Sequence, residues 1–150
     1  MAVGNFTSVG GQTRYRAFML DLGATSGSLD PWYYPPLQNL CAAASLPDYM
    51  RDVDFSPDGS WFAFVSTGYI PQSGGVGRDL CDAAGPGAVS RPGIGAIDPV
   101  TGKALAWNPT KDRGVGGKDL YVTSQGLWVG SDTNHIGHET RQRIALMPVP

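Results

Sequence analysis

Asp54-Phe55-Ser56-Pro57-Asp58-Gly59-Ser60-Trp61 is the stretch on which the fold is decided. Pro57-Asp58-Gly59 is a tight-turn triplet whose glycine can take the positive φ that closes a hairpin. Strand-like runs flank it, Met50 to Phe55 before and Trp61 to Ser66 after, so the stretch predicts an antiparallel hairpin. The pattern then returns: Ser60-Trp61-Phe62 after Asp58-Gly59 reappears as Leu127-Trp128-Val129 after Gln125-Gly126. Working outward, Leu20-Asp21 through Gly27 to Trp32 reappears as Ile97-Asp98 through Gly102 to Trp107, so the four tryptophans fall into two pairs. A third echo joins the ends, with Val3-Gly4 leading to Thr13-Arg14-Tyr15-Arg16 and Val129-Gly130 leading to Thr140-Arg141-Gln142-Arg143. Units spaced by about 60 to 75 residues lie within or somewhat above the periods of propellers and arrays.

Further short runs complete the set: Val3 to Phe6, Arg16 to Leu22, Leu29 to Trp32, Gly93 to Asp98, Ala104 to Trp107, Asp119 to Thr123, Leu127 to Ser131 and Arg143 to Met147. None shows a sustained helical period. Leu37 to Tyr49, with its Cys-Ala-Ala-Ala centre, is the one stretch with helical character, kept short by Pro36 and Pro47. Tyr69 to Ser90 and Lys111 to Lys118 read as long Gly-rich connectors. The fold class expected is all-β, built from antiparallel four-stranded propeller-blade repeats. About two and a half such blades fit the chain as one domain over 1–150: a partial blade over 1–36, a full blade over 50–109 and a partial blade over 119–148. That is an open or incomplete propeller, whose end blades expose apolar faces and so favour self-association.

Composition agrees with many short strands and tight turns. Glycine supplies 21 of 150 residues and charged residues 16%, against a usual charged share of about 25%. A net charge of -2 without any Lys/Arg run gives no footprint for nucleic acid or an anionic membrane surface. No apolar run reaches the roughly 18 residues that span a bilayer, and Met1-Ala2-Val3-Gly4 lacks the basic start and apolar core of a signal peptide.

The motifs also carry a resemblance. Asp54 to Trp61 resembles the inner hairpin of TolB-like and WD-repeat propellers, while Thr25-Ser26-Gly27-Ser28-Leu29-Asp30-Pro31-Trp32 and Asp98-Pro99-Val100-Thr101-Gly102-Lys103-Ala104-Leu105-Ala106-Trp107-Asn108-Pro109 resemble the turn of delta-60-repeat and PQQ-like propellers. The resemblance implies an exported bacterial protein, extracellular or at the cell surface; the repeat logic and the lack of a converging catalytic set make the chain a non-catalytic module, acting as a scaffold or as a surface for protein or carbohydrate recognition. The resemblance implies no cofactor, because PQQ-binding relatives need a complete ring to enclose theirs. It also favours an oxidising compartment, in which Cys41 and Cys81 would form a disulfide closing a loop of about 40 residues and contributing on the order of 4 kcal/mol. Two unpaired buried thiols are the other reading of the same pair.

Candidate chemistry is sparse. His135-Ile136-Gly137-His138-Glu139 sets two imidazoles and a carboxylate within five residues, so His135, His138 and Glu139 are the candidate metal ligands, with a metal-dependent hydrolase as the alternative function. The spacing, across a glycine in a hairpin whose repeat counterpart Val9-Gly10-Gly11-Gln12 has no ligand, favours a solvated tip over a metal site. There is no Gly-rich phosphate loop and no nucleophile elbow. The tryptophans read mostly as packing residues. Tyr33, Tyr34 and Tyr69, which have no repeat counterpart, are the candidates for exposed contacts. Arg14, Arg16, Arg141 and Arg143 are expected to cross an outer face and pair with local carboxylates.

Overall fold

The computed structural model describes residues 1–33, 50–70, 91–109, 111 and 117–149, of which 67–70, 91 and 92 are described through their backbone alone. Among them the protein is all-β, in small antiparallel sheets, and no closed barrel or propeller is formed. Three layers follow one another along the chain.

The central layer is β7 (Met50–Phe55), β8 (Phe62–Ile70) and β9 (Arg91–Ile97). β8 lies between its two partners, with Phe62 opposite both Phe55 and Ile97. Phe62, Ala63, Phe64 and Val65 are all buried. A strand covered on both faces can be apolar without alternation, which is why this run is continuous. Each fully buried Phe contributes roughly 1.5–3 kcal/mol of hydrophobic stabilisation. The turn before β8 is held by Asp58, whose Oδ1 accepts from Ser56 Oγ at 2.7 Å and from Ser60 N–H at 3.1 Å, while Gly59 supplies φ 72°.

The N-terminal layer contains β1 (Ala2–Val3), the hairpin β2 (Ser8–Val9) and β3 (Gln12–Thr13), then β4 (Ala17–Phe18), β5 (Leu20–Leu22) and β6 (Gly27–Leu29). β1 pairs with β4 and β5 with β6. Met19 alone separates β4 from β5, and its carbonyl accepts from Asp30 N–H at 3.1 Å, so the two pairings form one continuous layer. The C-terminal layer is β10 (Gly117–Thr123), β11 (Gly126–Ser131) and β14 (Ile144–Met147), with the hairpin β12 (His135–Ile136) and β13 (Glu139–Thr140) inserted between the last two strands.

Alternation distributes the core. Phe62, Phe64 and Ile97 face the N-terminal layer, where Ala17, Val3, Met1, Met19 and Trp32 meet them. Ala63, Val65 and Ile94 face the C-terminal layer's Leu120, Val122, Leu127, Val129, Ala145 and Met147. The second contact is close: a Cβ on Gly117 would sit 2.6 Å from Val65 Cβ, so glycine is required there.

The echo between the chain ends is a structural repeat. Val3 pairs with Ala17 as Gly130 pairs with Ile144, and Ser8 pairs with Thr13 as His135 pairs with Thr140. Gly4 N–H donates to Arg16 carbonyl at 2.9 Å, and Ser131 N–H to Arg143 carbonyl at 2.8 Å. Arg16 and Arg143 both take positive φ, 65° and 72°. These pairings hold one constant offset, which matches Val3 to Gly130 and corrects the sequence match of Val3 with Val129 by one residue.

Other expectations are also revised. Among the described residues the larger sheets show three strands where four were expected, and the stretch Ala104 to Trp107 carries a single bridge, between Ile97 and Ala104. Tyr69 and Ile70 continue β8, opposite Pro92 and Arg91, so the long connector starts after them. Lys111 is buried and bridges to Ile136, and Gly117 opens β10, which shortens the second connector at both ends. Leu37 to Tyr49, Cys41 and Cys81 lie outside the described residues.

Candidate functional site

The site grows from the inserted hairpin of the C-terminal layer. Ile136 opposite Glu139 closes its turn, and Gly137 and His138 occupy the turn with φ 66° and 65°. Two successive positive-φ residues are the geometry whose twist matches a hairpin. The N-terminal counterpart uses Gly10 and Gly11 at φ 56° and 77°. Histidine is among the residues enriched in this region, so His138 fills a position that glycine holds in the other copy.

This geometry separates two of the three candidate metal ligands. His135 and Glu139 belong to adjacent cross-strand pairs, His135 with Thr140 and Ile136 with Glu139, so their side chains leave opposite faces of the hairpin. The Glu139 carboxylate is instead held by Arg141, whose Nη2 and Nε donate to Oε2 at 2.7 and 3.0 Å. Among the described residues no three His, Cys, Asp or Glu side chains are grouped as a metal site requires.

What the hairpin does build is a cavity of about 300 Å³ against the end of β14 and the loop after β9. Its apolar wall includes Trp107, Pro109 and Met147, and its polar wall is His138, Glu139 and Arg141 beside Asn108. Trp107 is fixed by an Nε1–H donated to the Pro148 carbonyl at 3.1 Å. Ion pairing aligns Glu139 and Arg141 but adds little stability at such exposure. The arrangement offers an indole, a carboxylate and a guanidinium to one small volume.

The remaining candidates are placed differently from expectation. Tyr33 is half-buried rather than an exposed contact, with the Arg14 guanidinium 5.4 Å from its ring centroid. Burial, and then Tyr15, push its hydroxyl pKa up, while Arg14 opposes them. Arg14 and Arg16 are buried, so neither crosses an exposed face; Arg14 donates from Nη1 and Nη2 to the carbonyls of Thr13 and Asp30, at 2.9 and 3.2 Å. Arg141 forms the expected side-chain pair, with Glu139. Tyr34 lies outside the described residues, and Tyr69 is described only through its backbone in β8. Trp32, Trp61 and Trp107 pack partly buried against the core, whereas Trp128 is 44% exposed because its neighbours Leu127 and Val129 take the inward positions of β11.

Sequence reasoning missed the Trp107 cavity. Trp107, Asn108 and Pro109 were visible as a repeat turn and Arg141 as a repeated arginine, but nothing local joins them to each other or to Pro148. Comparison of the chain with models of known protein families, with curated proteins and with solved structures finds no match. No helix among the described residues is long and apolar enough to cross a membrane.

Proposed function

We propose that this protein is a non-catalytic recognition module of the incomplete β-propeller type, its three layers being successive blades, and that the Trp107 cavity takes a saccharide. The observation that carries the reading is the cavity itself: an indole held in place by Pro148 beside the paired Glu139 and Arg141. Sugar rings present apolar faces with hydroxyls around the edge, which suits an aromatic wall and a polar rim. The repeat between the chain ends and the face-to-face packing of the layers support the blade reading. The resemblance to delta-60-repeat and PQQ-like propellers extends it to an exported bacterial protein.

Saturation-transfer NMR against a panel of neutral and acidic saccharides tests the site. The expected result is binding by at least one class, weakened about tenfold or more by Trp107→Ala, equivalent to roughly 1.4 kcal/mol. Absence of binding across the panel at millimolar sugar, or binding indifferent to Trp107→Ala and Arg141→Ala, sinks the assignment.

A further inference from the structure

The C-terminal layer has one covered face and one bare face. Tyr121, Trp128 and Leu146 lie directly opposite one another across β10, β11 and β14, with Ile144 beside them, and all are exposed. The repeat reveals what this face matches. At the constant offset, Trp128, Gly130, Ile144 and Leu146 correspond to Met1, Val3, Ala17 and Met19, the face of the N-terminal layer that packs against Phe62, Phe64 and Ile97. The same kind of face is thus covered in one layer and open in the other.

The opposite end complements it. Val129, Ala145 and Met147 pack against the central layer, and their N-terminal counterparts Ala2, Phe18 and Leu20 lie on the outer face, where Leu20 and Leu22 are 46% and 81% exposed. One end therefore carries the face that is laid on the next layer, and the other end carries the face that receives the previous one. Among the described residues the two ends of a single copy do not meet, three layers falling short of the roughly four blades that close a ring. The first and last strands do not join either: β1 pairs with β4, and β14 pairs with β11.

We propose that two copies of this chain join head to tail, each seating the Trp128 face of its C-terminal layer on the Leu20 face of its partner. This proposal rests on the blade reading above. Two copies supply about six layers, within the four-to-eight range of closed propellers, whereas three would supply about nine. A head-to-tail contact that closes on itself gives a finite symmetric particle rather than a fibre.

Multi-angle light scattering of the intact chain and two single variants, Trp128→Glu and Leu20→Glu, tests the joint. The expected mass is twice the 15.9 kDa of the chain for the wild type and the single-chain mass for each variant. An equimolar mixture of the variants restores one of the two joints, the intact C-terminal face of one on the intact N-terminal face of the other, and should show a higher mass than either variant alone. A wild-type monomer, a larger or open-ended assembly, or dissociation by Trp128→Glu with no effect of Leu20→Glu overturns the proposal. Tyr121→Lys and Leu22→Lys, at still more exposed positions, repeat the test if either glutamate variant fails to fold. Saccharide binding at Trp107, measured on the same samples, reports on the recognition reading separately from the mass, and a monomer with blade-like layers in a crystal structure would leave the blade reading standing.

Discussion

Asp52 accepts a hydrogen bond through Oδ2 from the backbone N–H of Leu120 at 2.7 Å, tying the central layer to the edge of the C-terminal one. Asp54, two residues along the same face of β7, does likewise for Val122 at 2.7 Å. These N–H groups point away from β11 and would otherwise be unpaired at a sheet edge. Two carboxylates therefore replace a strand at the junction between layers.

Removing either acceptor should strand an amide. Asp52→Ala or Asp54→Ala is expected to cost about 1–3 kcal/mol, the penalty of an unsatisfied buried donor. Asp52→Asn keeps an accepting oxygen and should stay within about 0.5 kcal/mol of wild type at neutral pH. Burial raises the Asp52 pKa most, Asp119 adds to the rise, and the N–H groups of Leu120 and Val53 oppose it. A raised carboxyl favours folding in its protonated form, so its contribution is present at low pH and lost as pH rises through the raised value. Urea denaturation checks the series, and equal losses for Ala and Asn would refute the edge-pairing account.

Asp58 should act in the opposite direction on acidification. Ser56 Oγ, Ser60 N–H and Ser60 Oγ stabilise its carboxylate, in that order, and lower its pKa from 3.8 to about 2. A depressed carboxyl contributes stability above its unfolded pKa, and that contribution disappears as pH falls from 3.8 toward about 2. Asp58→Asn should be less stable than wild type at neutral pH, with the gap closing across that window. Denaturation midpoints measured at intervals between neutral pH and pH 2 would show it; a gap independent of pH contradicts the assignment.

Gly117→Ala tests the close approach of β10 to β8. The added methyl would sit 2.6 Å from Val65 Cβ and 2.8 Å from Cγ1, so a loss of about 1–3 kcal/mol is expected from overpacking. Val65→Ala removes the Cγ contacts and should make the glycine substitution less costly. A double-mutant cycle reads that coupling directly. Additive losses would mean that the layers part without resistance.

Much of the fold was legible because its signals are local. Met50 to Phe55 is read correctly to the residue, and the Pro57-Asp58-Gly59 turn falls where its glycine predicts. The continuous run Phe62 to Val65 reveals a strand but not which face meets which layer. Trp128 illustrates the limit: it shares a local motif with Trp61, yet Leu127 and Val129 take the inward positions and leave it exposed. His135 and Glu139 are close in sequence and diverge because adjacent residues of paired strands alternate between faces.

By itself, then, the sequence determined the all-β character, the central strand Met50 to Phe55 with its turn, and the kinship between the chain ends, since each depends on residue type and spacing over a few positions. Tertiary structure alone decided the register of that kinship, the meeting of Trp107 with Pro148 and Arg141, and the capture of Leu120 by Asp52. Those contacts join residues distant along the chain, and their distances follow from how the layers pack rather than from any local period.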